Sequence, residues 1–325
     1  MTKKKIVFAF LLFNVVLINS FYAQKYNAID SIVLKYPNFG STEKLAERIQ
    51  KDFSTERDKA RAIYSWIALN LEYDLKAYLN SPKQKSYTSK NEADRLKHLQ
   101  LINEKATQKA FRSRKAVCEG FSLLYAHLAT LSGLKCQVIT GDSKTKVSDI
   151  GRKRLGSNHA WNTVLIDGRW ILVDATWGQG YYDERREAVI TEFTPIYFDT
   201  DSKYFYAKHF PDAAMYANNT GNKEVFLNGP IIYNRFIEEK CEILAPFSGV
   251  IQADEGDKIT FKIKNISRFD DLYYVGKKEE RIKIENQKEE KGVVEFQITY
   301  NSKLGRFITF FLYQGALLQF KIIPK

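Results

Sequence analysis

Cys118, His159 and Asp174 have the residue types, the order and the local settings of a thiol-nucleophile triad. Cys118 lies in KAVCEGFSLLYAHLATLSG, His159 opens NHAWNTVLIDG, and Asp174 sits in RWILVDATWG. A thiol that attacks a carbonyl needs a base to take its proton, and the base needs a partner that fixes its ring. The chemistry of such a set is acyl transfer. A thioester forms on the sulfur, the base protonates the departing amine, and a second nucleophile then releases the acyl group.

The elements that must position these groups can be read from the same stretches. Phe121, Leu124, Tyr125 and Leu128 recur at helical spacing and Gly133 is a stop, so Cys118 falls at or near the first turn of a buried helix. Free backbone N–H groups in that turn favour a thiolate and can hold an oxyanion. Asp167-Gly168 between two apolar runs signals a two-residue hairpin. That turn sets Ile166 opposite Arg169, Leu165 opposite Trp170 and Trp161 opposite Asp174. Alternation then puts His159, Trp161 and Asp174 on one face, with His159 and Asp174 as diagonal neighbours about 7–8 Å apart at the backbone. A bulge between Trp161 and Asp174 would undo this, because a one-residue slip reverses every side chain.

The stretch from about Arg57 to Trp177 resembles the transglutaminase-like superfamily, whose core is papain-like. The matching pieces are DKARAIYSWIALNLEYD at 58–74, AVCEGFSLLYAHLATLSGLKCQVITGDSK at 116–144 and NHAWNTVLIDGRWILVDATWGQG at 158–180. YFDTDSKYFYAKHFPD at 197–212 is similar to the segment after the triad in the branch that includes kyphoscoliosis-peptidase-like proteins. The resemblance implies that Cys118 is the nucleophile, His159 the general base and acid, and Asp174 the orienting carboxylate. It leaves the reaction open, because the superfamily holds transamidases, peptidases, deamidases and members that have lost catalysis.

At 325 residues with 44% hydrophobic and 14% aromatic side chains, the chain can build two cores. Lys3-Lys4-Lys5 followed by the apolar run Ile6–Ile18 reads as a signal peptide cleaved after Ala23, so the protein is expected to be exported to the periplasm, the cell surface or the medium. The formal charge is +12, and loss of the three leader lysines leaves +9. Residues 83–115 carry ten Lys/Arg against three Asp/Glu. This is either a solvated connector or a surface that attracts acidic peptides, anionic envelope polymers or lipid headgroups. No nucleic-acid motif accompanies the charge. Three cysteines leave at least one thiol unpaired. Cys136 and Cys241 read as buried small residues, a disulfide between Cys118 and Cys136 being the alternative. No spacing suits a metal, and no cofactor is expected.

The expected organisation is a signal peptide at 1–23, a transglutaminase-like domain at 24–216 and a β-sandwich at 217–325. In the last domain seven alternating bursts (GVIQA, KITFKIK, DLYYV, RIKIE, VVEFQITY, RFITFFLYQ and ALLQFKII) suggest an immunoglobulin-like fold. The fold class is therefore α+β, a papain/transglutaminase-like core with a C-terminal immunoglobulin-like β-sandwich. Tyr73, Trp161 and Trp177 are candidates to line a cleft, although aromatics beside a catalytic sheet more often belong to the core. His127 reads as a structural histidine, and nothing assigns His98 or His209 a catalytic role. The expected function is a thiol hydrolase or acyltransferase acting on peptide or glutamine amide bonds of a protein or peptide substrate, for instance one of the cell envelope. The alternative is a non-catalytic envelope-binding or scaffold protein on the same core.

Overall fold

The computed structural model describes residues 27–80, 89–183, 186–213, 221–267, 269–278 and 280–325. Side-chain caps set where the first helices begin. The Asn27 side chain accepts from the Asp30 N–H and Asp30 accepts from the Asn27 N–H, which starts α1 (Ala28–Val33) with a reciprocal capping box. Ser41 and Thr55 cap α2 (Thr42–Asp52) and α3 (Glu56–Asn70). Helix α3 carries Ala60, Ile63 and Ile67. Every residue from Ala60 to Ala68 is buried, so it is a central helix rather than a surface one.

There follow β1 (Glu72–Tyr73), α4 (Leu75–Leu79), α5 (Glu92–Ser113), β2 (Lys115–Ala116) and α6 (Cys118–Leu131). Next come β3 (Lys135–Ser143), β4 (His159–Ile166), β5 (Arg169–Val173), α7 (Ala175–Gln179) and the hairpin of β6 (Gly180–Asp183) with β7 (Ala188–Thr191). The Asp167-Gly168 turn forms as expected. Asp167 and Gly168 both have positive φ, 47° and 79°, which a two-residue turn of this hand demands. The register is also as expected, Ile166 opposite Arg169 and Leu165 opposite Trp170, and it runs without a bulge to Asn162 opposite Val173.

The chain clusters into two compact units, residues 1–139 with 160–199, and residues 140–159 with 200–325. The expected leader at 1–23 and the expected boundary at 216/217 lie outside the described residues.

In the first unit the core joins the helices to the sheet. Leu45, Ile63, Trp66, Phe121, Leu124 and Tyr125 pack in one cluster with Val164, Ile171 and Val173. Within this core sits an ion pair. The Arg61 guanidinium donates to both Asp30 oxygens, from Nε at 2.9 Å and from a terminal nitrogen at 2.7 Å. It also lies over the rings of Tyr64, Phe193 and Phe198.

In the second unit the end of β3 pairs with β8 (His209–Pro211), which follows α8 (Ser202–Lys208). After α9 (Lys223–Asn228), β9 (Ile231–Ile232) and α10 (Asn234–Glu238), two sheets form a sandwich. One holds β10 (Glu242–Ala245), β12 (Lys258–Lys264), β16 (Val293–Thr299) and β15 (Lys288–Glu290). The other holds β11 (Val250–Gln252), β18 (Gly315–Ile323), β17 (Phe307–Leu312), β13 (Leu272–Val275) and β14 (Ile282–Lys283), with β9 against β18. Alternate residues of β12 are buried, and Phe261 meets Phe310 across the sandwich at 4.7 Å between ring centres. All seven expected bursts contribute strands, and the fold class is α+β as expected.

Lys144 lies just past β3 and is 2% exposed. Its ammonium donates to the carbonyls of Phe226 at 2.5 Å and Gly229 at 2.7 Å. Burial pushes it down to about 7, opposed by Asp149 and assisted by Lys208. Between pH 7 and the ordinary lysine range the unfolded chain therefore holds a proton that the folded chain lacks, so stability rises with pH across that window. The slope is at most about 1.4 kcal/mol per pH unit. Urea unfolding from pH 7 to pH 10 should show this rise in wild type and a flatter profile in Lys144→Met.

Candidate functional site

Cys118 is the first residue of α6, and the preceding Val117 supplies no side-chain cap. The Gly120 N–H bonds back to Val117. The Phe121 N–H does the same, while the Cys118 and Glu119 N–H groups have no acceptor within the helix, so this end carries positive potential toward the sulfur. Gly120 is required for close packing, because a Cβ there would stand 2.7 Å from the Ala116 Cβ. The three cysteines are all free thiols, and Cys118 is 8% exposed.

His159 is the first residue of β4 and is held by the chain entering it. Asn158 accepts from the Ser143 N–H at 2.6 Å and donates to the Ser143 carbonyl at 3.0 Å. Ser157, at φ 50°, donates its N–H to Asp142 at 2.7 Å. Asn162, three residues on and on the opposite face, donates to the Ser122 carbonyl at 3.0 Å and the Gln137 carbonyl at 3.3 Å. It has no part in chemistry, but it ties β4 to the helix that begins with Cys118.

Asp174 leaves the β5 ladder and becomes the cap of α7. One carboxylate oxygen accepts from the Trp177 N–H at 3.0 Å, and its own N–H donates to the Tyr197 carbonyl at 2.9 Å. The residue is buried. This second duty fixes the carboxylate and was not foreseen from the hairpin. His159 opens β4 and Asp174 follows β5, so the hairpin carries both residues at its open end.

His209 is the residue that sequence reasoning missed. Its ring is 5.4 Å from that of His159 and stacks on Phe205 at 4.0 Å. Its Nδ1 sits 3.0 Å from the Phe205 carbonyl. A carbonyl only accepts, so Nδ1 carries a proton and donates to it. No sequence signal beyond the aromatic run at 197–212 pointed to His209.

Of the expected cleft-lining aromatics, Tyr73 stands close to the start of α6. β1 pairs in parallel with β2, placing Tyr73 opposite Ala116, two residues before Cys118. Burial first, then the charges of Cys118, Tyr78 and Asp174, hold its phenol well above the ordinary tyrosine range. Trp161 is fully buried and belongs to the interior. Trp177 is partly buried, edge-on to Tyr197 at 5.4 Å. His127 is structural as expected, its Nε2 3.0 Å from the Thr42 hydroxyl.

Residues 43–175 match the transglutaminase-like superfamily. The chain is 28% identical over 190 residues to the human kyphoscoliosis peptidase, a match covering 58% of this chain and 26% of that protein. The mouse kyphoscoliosis peptidase is 30% identical over 174 residues, covering 53% and 23% respectively. This chain thus spans about a quarter of the length of these curated relatives. A solved structure described as a crystal structure of a TGase aligns over 53% of this chain and 38% of that one, at 21% identity and a TM-score of 0.30.

Proposed function

Residues 43–175 belong to the transglutaminase-like superfamily, and from that premise we propose that the protein is a thiol acyl-transfer enzyme acting on peptide or glutamine amide bonds. The Cys118 sulfur attacks the carbonyl carbon and forms a thioester. His159 takes the thiol proton and passes it to the departing amine or ammonia. It then removes a proton from the second nucleophile, whose attack regenerates the thiol. Asp174 holds the imidazole tautomer. The Cys118 and Glu119 N–H groups at the start of α6 face the developing oxyanion.

One observation supports this most strongly. Cys118 opens α6 as a free thiol, and the hairpin that carries His159 at the start of β4 carries Asp174 just past the end of β5. Water is the acceptor we favour, giving hydrolysis or deamidation, and the relatives named as peptidases fit a peptide substrate. Export, and with it a protein or peptide substrate of the cell envelope, is part of the same proposal.

A second reading, a binding or scaffold protein on a silent core, is favoured by the burial of both Cys118 and His159. Mass spectrometry of glutamine-containing and cell-wall peptides incubated with the protein, with and without a primary amine, separates the two. Cleavage, deamidation or amine incorporation that vanishes in Cys118→Ala supports the enzyme. Unchanged peptides in every condition support the scaffold.

A further inference from the structure

The fold places a phenol beside the start of α6. The parallel bridge of β1 to β2 joins residues more than forty positions apart in sequence, with Glu72 opposite Lys115 and Tyr73 opposite Ala116. It is closed on both sides by main-chain bonds, the Glu72 N–H to the Arg114 carbonyl at 2.7 Å and the Asp74 N–H to the Ala116 carbonyl at 2.8 Å. Two-residue strands add little to a sheet, but this pair fixes where Tyr73 stands relative to the start of α6. The Tyr73 ring lies 6.3 Å from that of Phe121. Phe121 is three residues beyond Cys118 and therefore on the same side of the helix. Tyr78 borders the ring from the other direction at 6.1 Å. Gly120 completes the arrangement, since any larger residue would push Ala116, and with it β2, away from the helix.

We propose that the Tyr73 hydroxyl donates a hydrogen bond to the Cys118 thiolate and so raises the fraction of sulfur that is ready to attack. This rests on the reading of Cys118 as the nucleophile. A hydroxyl can donate or accept, and the role is decided by its protonation. The phenol here is partly buried, and burial with the neighbouring Cys118 holds it above the ordinary tyrosine range, so it keeps its proton and meets a sulfur anion as a donor. A hydrogen bond to a charged acceptor is about twice as strong as one between neutral groups, so the bond favours the thiolate over the thiol. No bond is made or broken at Tyr73, and its proton stays on oxygen throughout.

The test is Tyr73→Phe in the full chain, which keeps the ring against Phe121 and Tyr78 and removes only the oxygen. Iodoacetamide alkylation of Cys118, followed by peptide mapping from pH 5 to pH 10, reads thiolate without requiring turnover. The thiolate absorbance near 240 nm, taken as wild type minus Cys118→Ala, reads it a second time. The expected result is alkylation at pH 7 slowed about tenfold, with the rate converging on wild type at the alkaline end. An unchanged neutral rate overturns the proposal. So does a loss that persists at the alkaline end, which would mark displacement of the helix rather than loss of a donor. Failure of the acyl-transfer reading shows elsewhere, as peptides left unchanged by wild type, and leaves the Tyr73 measurement interpretable.

Discussion

Changing Asp174 to Asn should lower turnover by about 10⁴-fold while leaving the fold intact. The amide cannot hold the imidazole in the tautomer that accepts the thiol proton, and it does not stabilise the imidazolium that forms. Most carboxylates at this depth could not be tested so cleanly. Asp174 also caps α7 by accepting from the Trp177 N–H, and its removal by truncation would loosen the helix. Asn is as good a cap as Asp, so the helix keeps its start. Steady-state rates on a peptide substrate, paired with urea unfolding, should separate the two duties. We expect the rate to collapse and the unfolding free energy to move by less than about 1 kcal/mol. Equal losses in both would mean that Asp174 is structural only.

Asp30→Ala should be the most damaging single change to the first unit. Asp30 is fully buried and takes two bonds from Arg61 and one from the Ser65 hydroxyl. Truncating it strands a guanidinium in a cluster of Tyr64, Phe193 and Phe198, where little water can reach it. Breaking a buried pair in this way costs about 3–5 kcal/mol. Replacing both partners with apolar residues, Asp30→Leu with Arg61→Met, should recover most of the loss, because no charge is then left unpaired. Urea unfolding followed by circular dichroism measures each variant. A double variant as unstable as Asp30→Ala alone would show that shape, rather than charge, is what the pair supplies.

The parts of the fold that were legible in advance share one property: they depend on neighbours in sequence. The Asp167-Gly168 turn has two residues tolerant of positive φ, and alternation on either side leaves a single register that buries Val164, Ile166, Ile171 and Val173. From that register alone, His159 and Asp174 could be brought together. The seven strand bursts of the sandwich were readable for the same reason. The strand Lys288–Glu290 was not, since all three of its residues are exposed and no alternation marks it.

What stayed hidden was non-local. The bridge that brings Tyr73 to Cys118 is two residues long on each side. Asp30 and Arg61 lie in different helices, and nothing in either helix announces the other. His209 reaches His159 through the pairing of residues 209–211 with the end of β3, a crossover that no periodicity encodes. Lys144 is one lysine among many in the sequence, yet it is held by two carbonyls from a helix end about eighty residues away.

The central claim is that His159 activates the sulfur of Cys118, and selective alkylation tests it most directly. Cys136 and Cys241 serve as internal controls, because burial pushes both thiols up to about 12 and keeps them unreactive. With limiting iodoacetamide at pH 7, Cys118 should be labelled well ahead of the other two, and His159→Ala should slow that labelling by at least about tenfold. Labelling of Cys118 at the same rate with and without the imidazole would contradict the account.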